Sequence, residues 1–359
     1  MPAGGVSRGR RMRSRTDAGD SSVPYGQAMT LRTPPEILLE ISYAYATSRA
    51  LHVVAEAGVA DVLGEAPCTV EELAGQTGLD PDALGRLLRL LEERSVFRRV
   101  DGGGWAHTDA SRLLRRDHPS SLRGFARMTG TAFSWDSFTN LGHSARTGES
   151  GSTLLHPDGW VAYLQAHPAE AQIFQEAMTA KAHGDVAAAL AVHDFTRYRR
   201  ICDVGGGNGH LLRAIRAAHP EITGVNFELP SVASQLTPED GIEIVAGDFF
   251  VDPLPPADAY VLMNIIHDWD DKSAIAILEA VAAAGRDSRS TVLLLEALLP
   301  EGPEPHWSKT LDVVMLAITG GRERTLGEYA ALLDTAGLRL DAMTPTATPF
   351  SVIEASVAS

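Results

Sequence analysis

Only two cysteines, Cys68 and Cys202, occur in 359 residues, and neither Cys-x-x-Cys nor His-Glu-x-x-His is found. A disulfide framework and zinc sites of common spacing are thereby excluded, so a reducing cytoplasm and no metal are expected. Long apolar runs are lacking too. The strongest, Ala259 to Ile266 and Thr291 to Leu299, have the length of buried strands and fall short of the ~20 residues a membrane span needs, so no membrane partner is expected. Positive charge is scarce: 31 Lys and Arg face 46 Asp and Glu, a net −15. Such a surface repels phosphate backbones, and nucleic acid is not an expected partner. The remaining composition, 44% hydrophobic and 21% charged, is that of a folded chain. Its length allows roughly two domains of ~150 residues each.

Residues 1–30 hold five Arg against two Asp without apolar periodicity and read as a disordered arm. Arg10-Arg11 is not followed by the apolar segment an export signal requires. Residues 31–120 read as a helical module. Apolar positions at helical spacing (Ile37, Leu38, Ile41, Leu51, Val54) lead to the capping box Thr69 to Glu72. Asp80-Pro81 then opens a second amphipathic helix bearing Leu84, Leu88 and Leu91, and a hairpin turns at Asp101 to Gly104. The order is that of a winged helix. On its second helix Arg86, Arg89 and Arg94 are matched by Asp80, Asp82, Glu92 and Glu93, which favours packing or dimerisation over phosphate contact. The apolar stripes of the first helices predict a homodimer. Residues 121–190 are expected to be helical linker and pocket, where Trp135, Trp160 and Phe174 are candidates for lining an aromatic acceptor site. In residues 191–359 short β-rich runs alternate with helices, the pattern of a doubly wound α/β, Rossmann-like domain.

Chemistry concentrates at the expected carboxyl ends of these strands. Ile201-Cys-Asp-Val-Gly-Gly-Gly-Asn-Gly209 is a strand running into a glycine turn and a helix, with Gly205, Gly207 and Gly209 able to let a ligand approach the backbone. No Gly-Lys-Ser/Thr follows, which excludes a phosphate P-loop, and His210 stands where a dinucleotide fingerprint needs glycine. Glu228 ends the next strand, where a carboxylate can accept from both ribose hydroxyls. Asp248-Phe249 follows the third strand, an acceptor for an exocyclic amine beside a ring that can stack on a purine. Together they predict an adenosine without a polyphosphate. The fourth strand ends at His267-Asp268-Trp269 and the fifth at Glu296, while Glu323 precedes a helix whose dipole it could serve.

Asp203 to Gly209, Phe227-Glu-Leu-Pro230, Gly247-Asp-Phe-Phe250, His267-Asp-Trp269 and Glu323-Arg-Thr325 stand in one order over a chain that, from about Leu31, resembles the two-domain, S-adenosylmethionine-dependent O-methyltransferases of plant phenylpropanoid and bacterial polyketide and phenazine pathways. The resemblance implies S-adenosylmethionine as cofactor. Its methionine part would lie on the loop with Asp203, Gly205, Gly207 and Gly209, its ribose on Glu228 and its adenine on Asp248 and Phe249, with Met263 and Trp269 alongside. It implies His267 as general base, Glu296 and Glu323 as its flanking acids, and Asp268 beside them. Met178 and Met315 match positions that contact a small aromatic substrate. Plant members carry a cofactor-contacting lysine where Met263 stands, so only backbone contact is expected there. Relatives that became hydroxylases, decarboxylases or pericyclases supply the alternative reading, against which the retained His267, Glu296 and Glu323 weigh.

Overall fold

The computed structural model describes residues 33–357; the expected N-terminal arm lies outside them. The chain divides into a unit ending at Ala44 and a unit from Tyr45 onward. The first contains the start of a long helix, Pro34–Glu56, along which Ile37, Leu38, Leu39 and Ile41 are exposed.

In the second unit the expected local signals are realised. Thr69 caps the helix Val70–Thr77, and Glu72 returns to the Thr69 amide at 2.8 Å. Pro81 sits in the first turn of Pro81–Glu93, whose Leu84, Leu88 and Leu91 pack with Leu73, Val54 and Trp105. The hairpin β1 (Phe97–Arg99) and β2 (Trp105–His107) follows, with Gly102 and Gly103 both in left-handed backbone at φ +93°. Residues between Arg123 and Val192 are mainly helical, ending in the long helix Pro168–Val192.

Seven strands form the main sheet: β3 (Arg200–Val204), β4 (Thr223–Glu228), β5 (Ile242–Ala246), β6 (Ala259–Met263), β7 (Thr291–Ala297), β8 (Leu338–Pro345) and β9 (Phe350–Val357). Their order is β5-β4-β3-β6-β7-β9-β8, parallel through β7 and antiparallel across β9 and β8. Consecutive strand residues feed opposite cores, Ile201, Val261 and Leu293 on one face and Cys202, Leu262 and Leu294 on the other. Burial on both faces explains why these strands read as unbroken apolar runs. Between β3 and β6 the winding reverses, and in open α/β sheets the ligand crevice lies at such a point beyond the strands' carboxyl ends.

The structure shortens one expected strand. The run Ala259 to Ile266 is a strand only to Met263, because Asn264 takes φ +55° and turns the chain into a 3₁₀ segment, Ile266–Asp268. Asparagine is among the few residues that tolerate this conformation.

Candidate active site

The glycine turn leaves β3 with Gly205, Gly207 and Gly209 at φ +72°, +52° and +74°. Space as well as backbone demands glycine here. A Cβ at Gly205 would lie 2.6 Å from Ile265 Cδ1, and one at Gly206 would lie 2.5 Å from Asn226 Oδ1. Asn226 Nδ2 donates to Gly207 O at 3.0 Å, while its buried Oδ1 has no partner. Glu228 accepts from the Gly207 amide at 3.0 Å and the Leu229 amide at 2.8 Å. The glycine loop and Glu228 are thus joined. Asp203 lies buried beneath the loop; burial, with Glu228 nearby, pushes its carboxyl up to about 7.

Beyond β5, Asp248 Oδ1 accepts from the Phe250 amide at 2.9 Å. Phe249 stands edge-on to Trp269, with ring centroids 6.0 Å apart, and Phe250 stands 4.8 Å from the same indole. An apolar cleft wall of this kind suits a purine face. Met263 is half-buried against the core on one sheet face.

His267 is 6% exposed, while Glu296 and Glu323 are fully buried. Its Nδ1 lies 2.8 Å from Glu323 Oε1 and 3.8 Å from Glu296 Oε2, and its Nε2 lies 3.9 Å from Asp268 Oδ1. A carboxylate only accepts, so Nδ1 donates in that short bond, and once the ring is neutral it is Nε2 that carries the lone pair. Glu296 Oε1 accepts from the amides of Ile265 and Ile266 at 3.1 and 2.9 Å, fixing the turn on which the imidazole stands. Burial alone would push the imidazole down, but Glu296, Asp268 and Glu323 overcome it and hold it up at about 9. Burial pushes Glu296 up to about 7, against the pull of His267, and raises Asp268 as well. Glu323 does not turn toward the dipole of the helix Leu326–Thr335, whose entrance Thr325 caps; it faces the histidine.

Several residues of this site carry no signal of their own in the sequence. Arg324 is 1% exposed and donates to Ile266 O at 3.1 Å, Trp269 O at 2.9 Å and Asp271 Oδ1 at 2.8 Å, tying both ends of the His267 turn. It stands inside the Glu-Arg-Thr motif, its one hint. Arg322 N donates to His267 O at 2.8 Å, and Asp312 Oδ1 accepts from the Glu323 amide at 2.9 Å. A Cβ at Gly321 would collide with His267 O, so the two segments pack backbone to backbone. Lys181 reaches Asn264 Oδ1 at 2.7 Å.

The aromatic candidates separate. Trp160 and Phe174 come together with centroids 5.6 Å apart, whereas Trp135 lies under the Arg49 guanidinium at 4.8 Å. Met178 is half-buried on the helix Pro168–Val192. Met315 is buried in a small cluster with Ala297, Leu311 and Phe350.

A glycine loop, the Glu228 carboxylate and the Phe249–Trp269 aromatic wall on consecutive strand ends, with a buried histidine at the adjoining edge, form a crevice of the kind in which doubly wound α/β enzymes bind their ligands. Residues 146–339 match the O-methyltransferase domain and residues 39–117 the O-methyltransferase dimerisation domain. The chain is 34% identical over 326 residues to a phenazine O-methyltransferase of Lysobacter antibioticus, covering 89% of this chain and 95% of that one. It is 35% identical over 322 residues to 3-amino-4-hydroxybenzoate 4-O-methyltransferase of Streptomyces cremeus, covering 86% of each. An O-methyltransferase from neocarzinostatin biosynthesis, solved with S-adenosylmethionine and 2-hydroxy-5-methyl naphthoic acid, superposes with TM-score 0.72 at 33% identity, over 88% of this chain and 96% of that one. The chain belongs to the S-adenosylmethionine-dependent O-methyltransferase family. A loop with no room for a Cβ at Gly205 and Gly206, open space over Gly207 and the orphaned Asn226 Oδ1 beside it fit that cofactor.

Proposed function

We propose that the chain methylates a phenolic hydroxyl of a small aromatic metabolite, with His267 as general base and Glu296 and Glu323 holding its ring. The observation that carries this is the Nδ1 bond to Glu323, which leaves Nε2 as the acceptor nitrogen of a buried imidazole. S-adenosylmethionine supplies a methyl group on a sulfonium centre. Gly205, Gly207 and Gly209 would take its methionine part, Glu228 its ribose, and Asp248 and Phe249 its adenine, with Asp203 below the loop and Trp269 closing the wall. A phenol near pKa ~10 is protonated at neutral pH, so His267 Nε2 has a proton to remove as the O–CH₃ bond forms. Trp160, Phe174 and Met178 would face the acceptor. The chain would act as a homodimer through the exposed apolar stripe at Ile37, Leu38 and Ile41, with neither nucleic acid nor membrane as partner. Among the described residues no helix is long and apolar enough to cross a membrane.

Incubation with methyl-labelled cofactor and a panel of hydroxybenzoates, hydroxynaphthoates and hydroxyphenazines, read by the mass gain of one methyl, tests the reading. A methylated product lost in His267→Ala is expected. Product formed equally well by that variant overturns the base assignment.

A further inference from the structure

Lysine is rare in this chain. It stands only at positions 181, 272 and 309, so arginine accounts for nearly all of the 31 basic residues. One of the three is spent inside the protein. Lys181 projects from the helix Pro168–Val192 with its side chain 17% exposed, and its ammonium has three donor directions to satisfy. Asp185 Oδ2 takes one at 3.1 Å, Asn264 Oδ1 another at 2.7 Å, and the Phe350 ring lies 3.8 Å from Nζ. With all three occupied, none is left over for a substrate anion.

Asn264 matters because of where it bends the chain. It is one of three non-glycine residues with positive φ among the described residues, and it lies between the last residue of β6 and the turn that carries His267. Its amide donates to Leu295 O at 3.1 Å, and the next two amides donate to Glu296. A strained dihedral persists only where its surroundings over-determine it, and the side chain of Asn264 is fixed by Lys181. Met178 stands three residues before Lys181 on the same face of the helix, so one helix face reaches from the acceptor pocket to the base turn.

We propose that Lys181 is a positioning residue for His267: by gripping Asn264 it holds the left-handed bend that aims the imidazole, and it ties that bend to the pocket helix. This rests on His267 being the base. The Asp268 carboxyl, raised by burial, is pulled back by the charges of His267 and Lys181.

The test compares Lys181→Met, Lys181→Arg, Asn264→Gly and Asn264→Ala in the full-length protein. Without any acceptor, hydrogen exchange of the Ile265 and Ile266 amides should quicken about tenfold in Lys181→Met and stay near the wild-type rate in Lys181→Arg. With the phenol that the mass-gain panel identifies, kcat should fall about 10- to 100-fold in Lys181→Met with KM for S-adenosylmethionine within about threefold, and Lys181→Arg should restore most of it. Asn264→Gly keeps the bend available and should lose less than Asn264→Ala. Adding Lys181→Met to Asn264→Ala should cost little more, because both act on one element. Unchanged exchange and unchanged kcat in Lys181→Met overturn the proposal, as does full additivity of the two substitutions. His267→Asn separates this failure from that of the base assignment: if it alone abolishes turnover while Lys181→Met does not, the base stands and the positioning role falls.

Discussion

The caged imidazole makes a prediction about pH that runs against the usual behaviour of histidine. An unperturbed imidazole near 6.5 would be almost wholly neutral by pH 8, and a base-catalysed rate would be flat above it. His267 is held at about 9, so at pH 7 only about one molecule in a hundred has Nε2 free. The rate should therefore climb close to tenfold per pH unit from pH 7 and level off near 9. Glu296 is first among the groups that raise it, standing 3.8 Å from Nδ1. Glu296→Gln keeps an oxygen for the Ile265 and Ile266 amides while removing the charge, and losing one opposite charge at that range lowers a pKa by ~1–3 units. The rising limb should move down by that amount. At pH 7 the variant should lose less than a misaligned enzyme would and can exceed wild type, since a larger neutral fraction offsets a weaker base. Initial rates between pH 5.5 and 10, with S-adenosylmethionine saturating, check this. A limb near 6.5 in the wild type, or one unmoved in Glu296→Gln, would refute the cage. His267→Ala should lack the limb and run ~10²- to 10⁴-fold slower.

Stability should follow the same groups. His267, Glu296 and Asp203 are all held above their unfolded values, at about 9, 7 and 7. The proton each holds favours the fold below its unfolded pKa, and this contribution is lost as pH rises through the folded value. The Tm of the cofactor-free protein should therefore drop between pH 6 and 9, and calorimetric scans of Glu296→Gln should show a shallower drop. Glu228→Ala should weaken S-adenosylmethionine by ~1.5–3 kcal/mol in titration calorimetry, and unchanged affinity would remove it from the site. Gly321→Ala, whose Cβ would collide with His267 O, should abolish turnover in an enzyme that still binds cofactor. Arg324→Met leaves the Trp269 carbonyl unpaired and takes one of two donors from Ile266 O, and should cost ~1–3 kcal/mol in urea unfolding.

Legibility in the sequence tracked how local each cause was. Thr69 and Glu72, or Asp80 and Pro81, act within one turn of chain, so spacing alone placed those helices. Strands β3, β4 and β7 are short apolar runs buried on both faces, the texture that marks such strands in a sequence, while the edge strand β5 is only half-buried. The strands β8 and β9 carry no such signal. On β8 only Leu338 is buried, and the alternation that marks a half-buried strand is broken by the register shift between Leu340 and Ala342. β6 was read too long for the opposite reason. Ile265 and Ile266 continue the apolar run, but Ile266 is buried in the core under a turn, and hydrophobicity does not record the φ of Asn264.

The site divides along the same line. His267, Glu296 and Glu323 stand out in the sequence because each lies at a strand end or in a motif whose residue types suit proton transfer. Their supports do not, because a support is chosen for reach and shape and has no chemistry of its own to announce. Arg324 looks like a surface cation until its guanidinium is seen to meet carbonyls 55 and 58 positions away. Gly321 reads as one of 33 glycines until the His267 carbonyl is seen against its Cα. Lys181 belongs to a helix 83 residues before its partner Asn264. If His267 acts as the proposed base, all three matter to it, since Nε2 is useful only when the turn beneath it cannot shift. It follows that substitutions at these supports should mimic loss of the base in kcat while sparing cofactor binding.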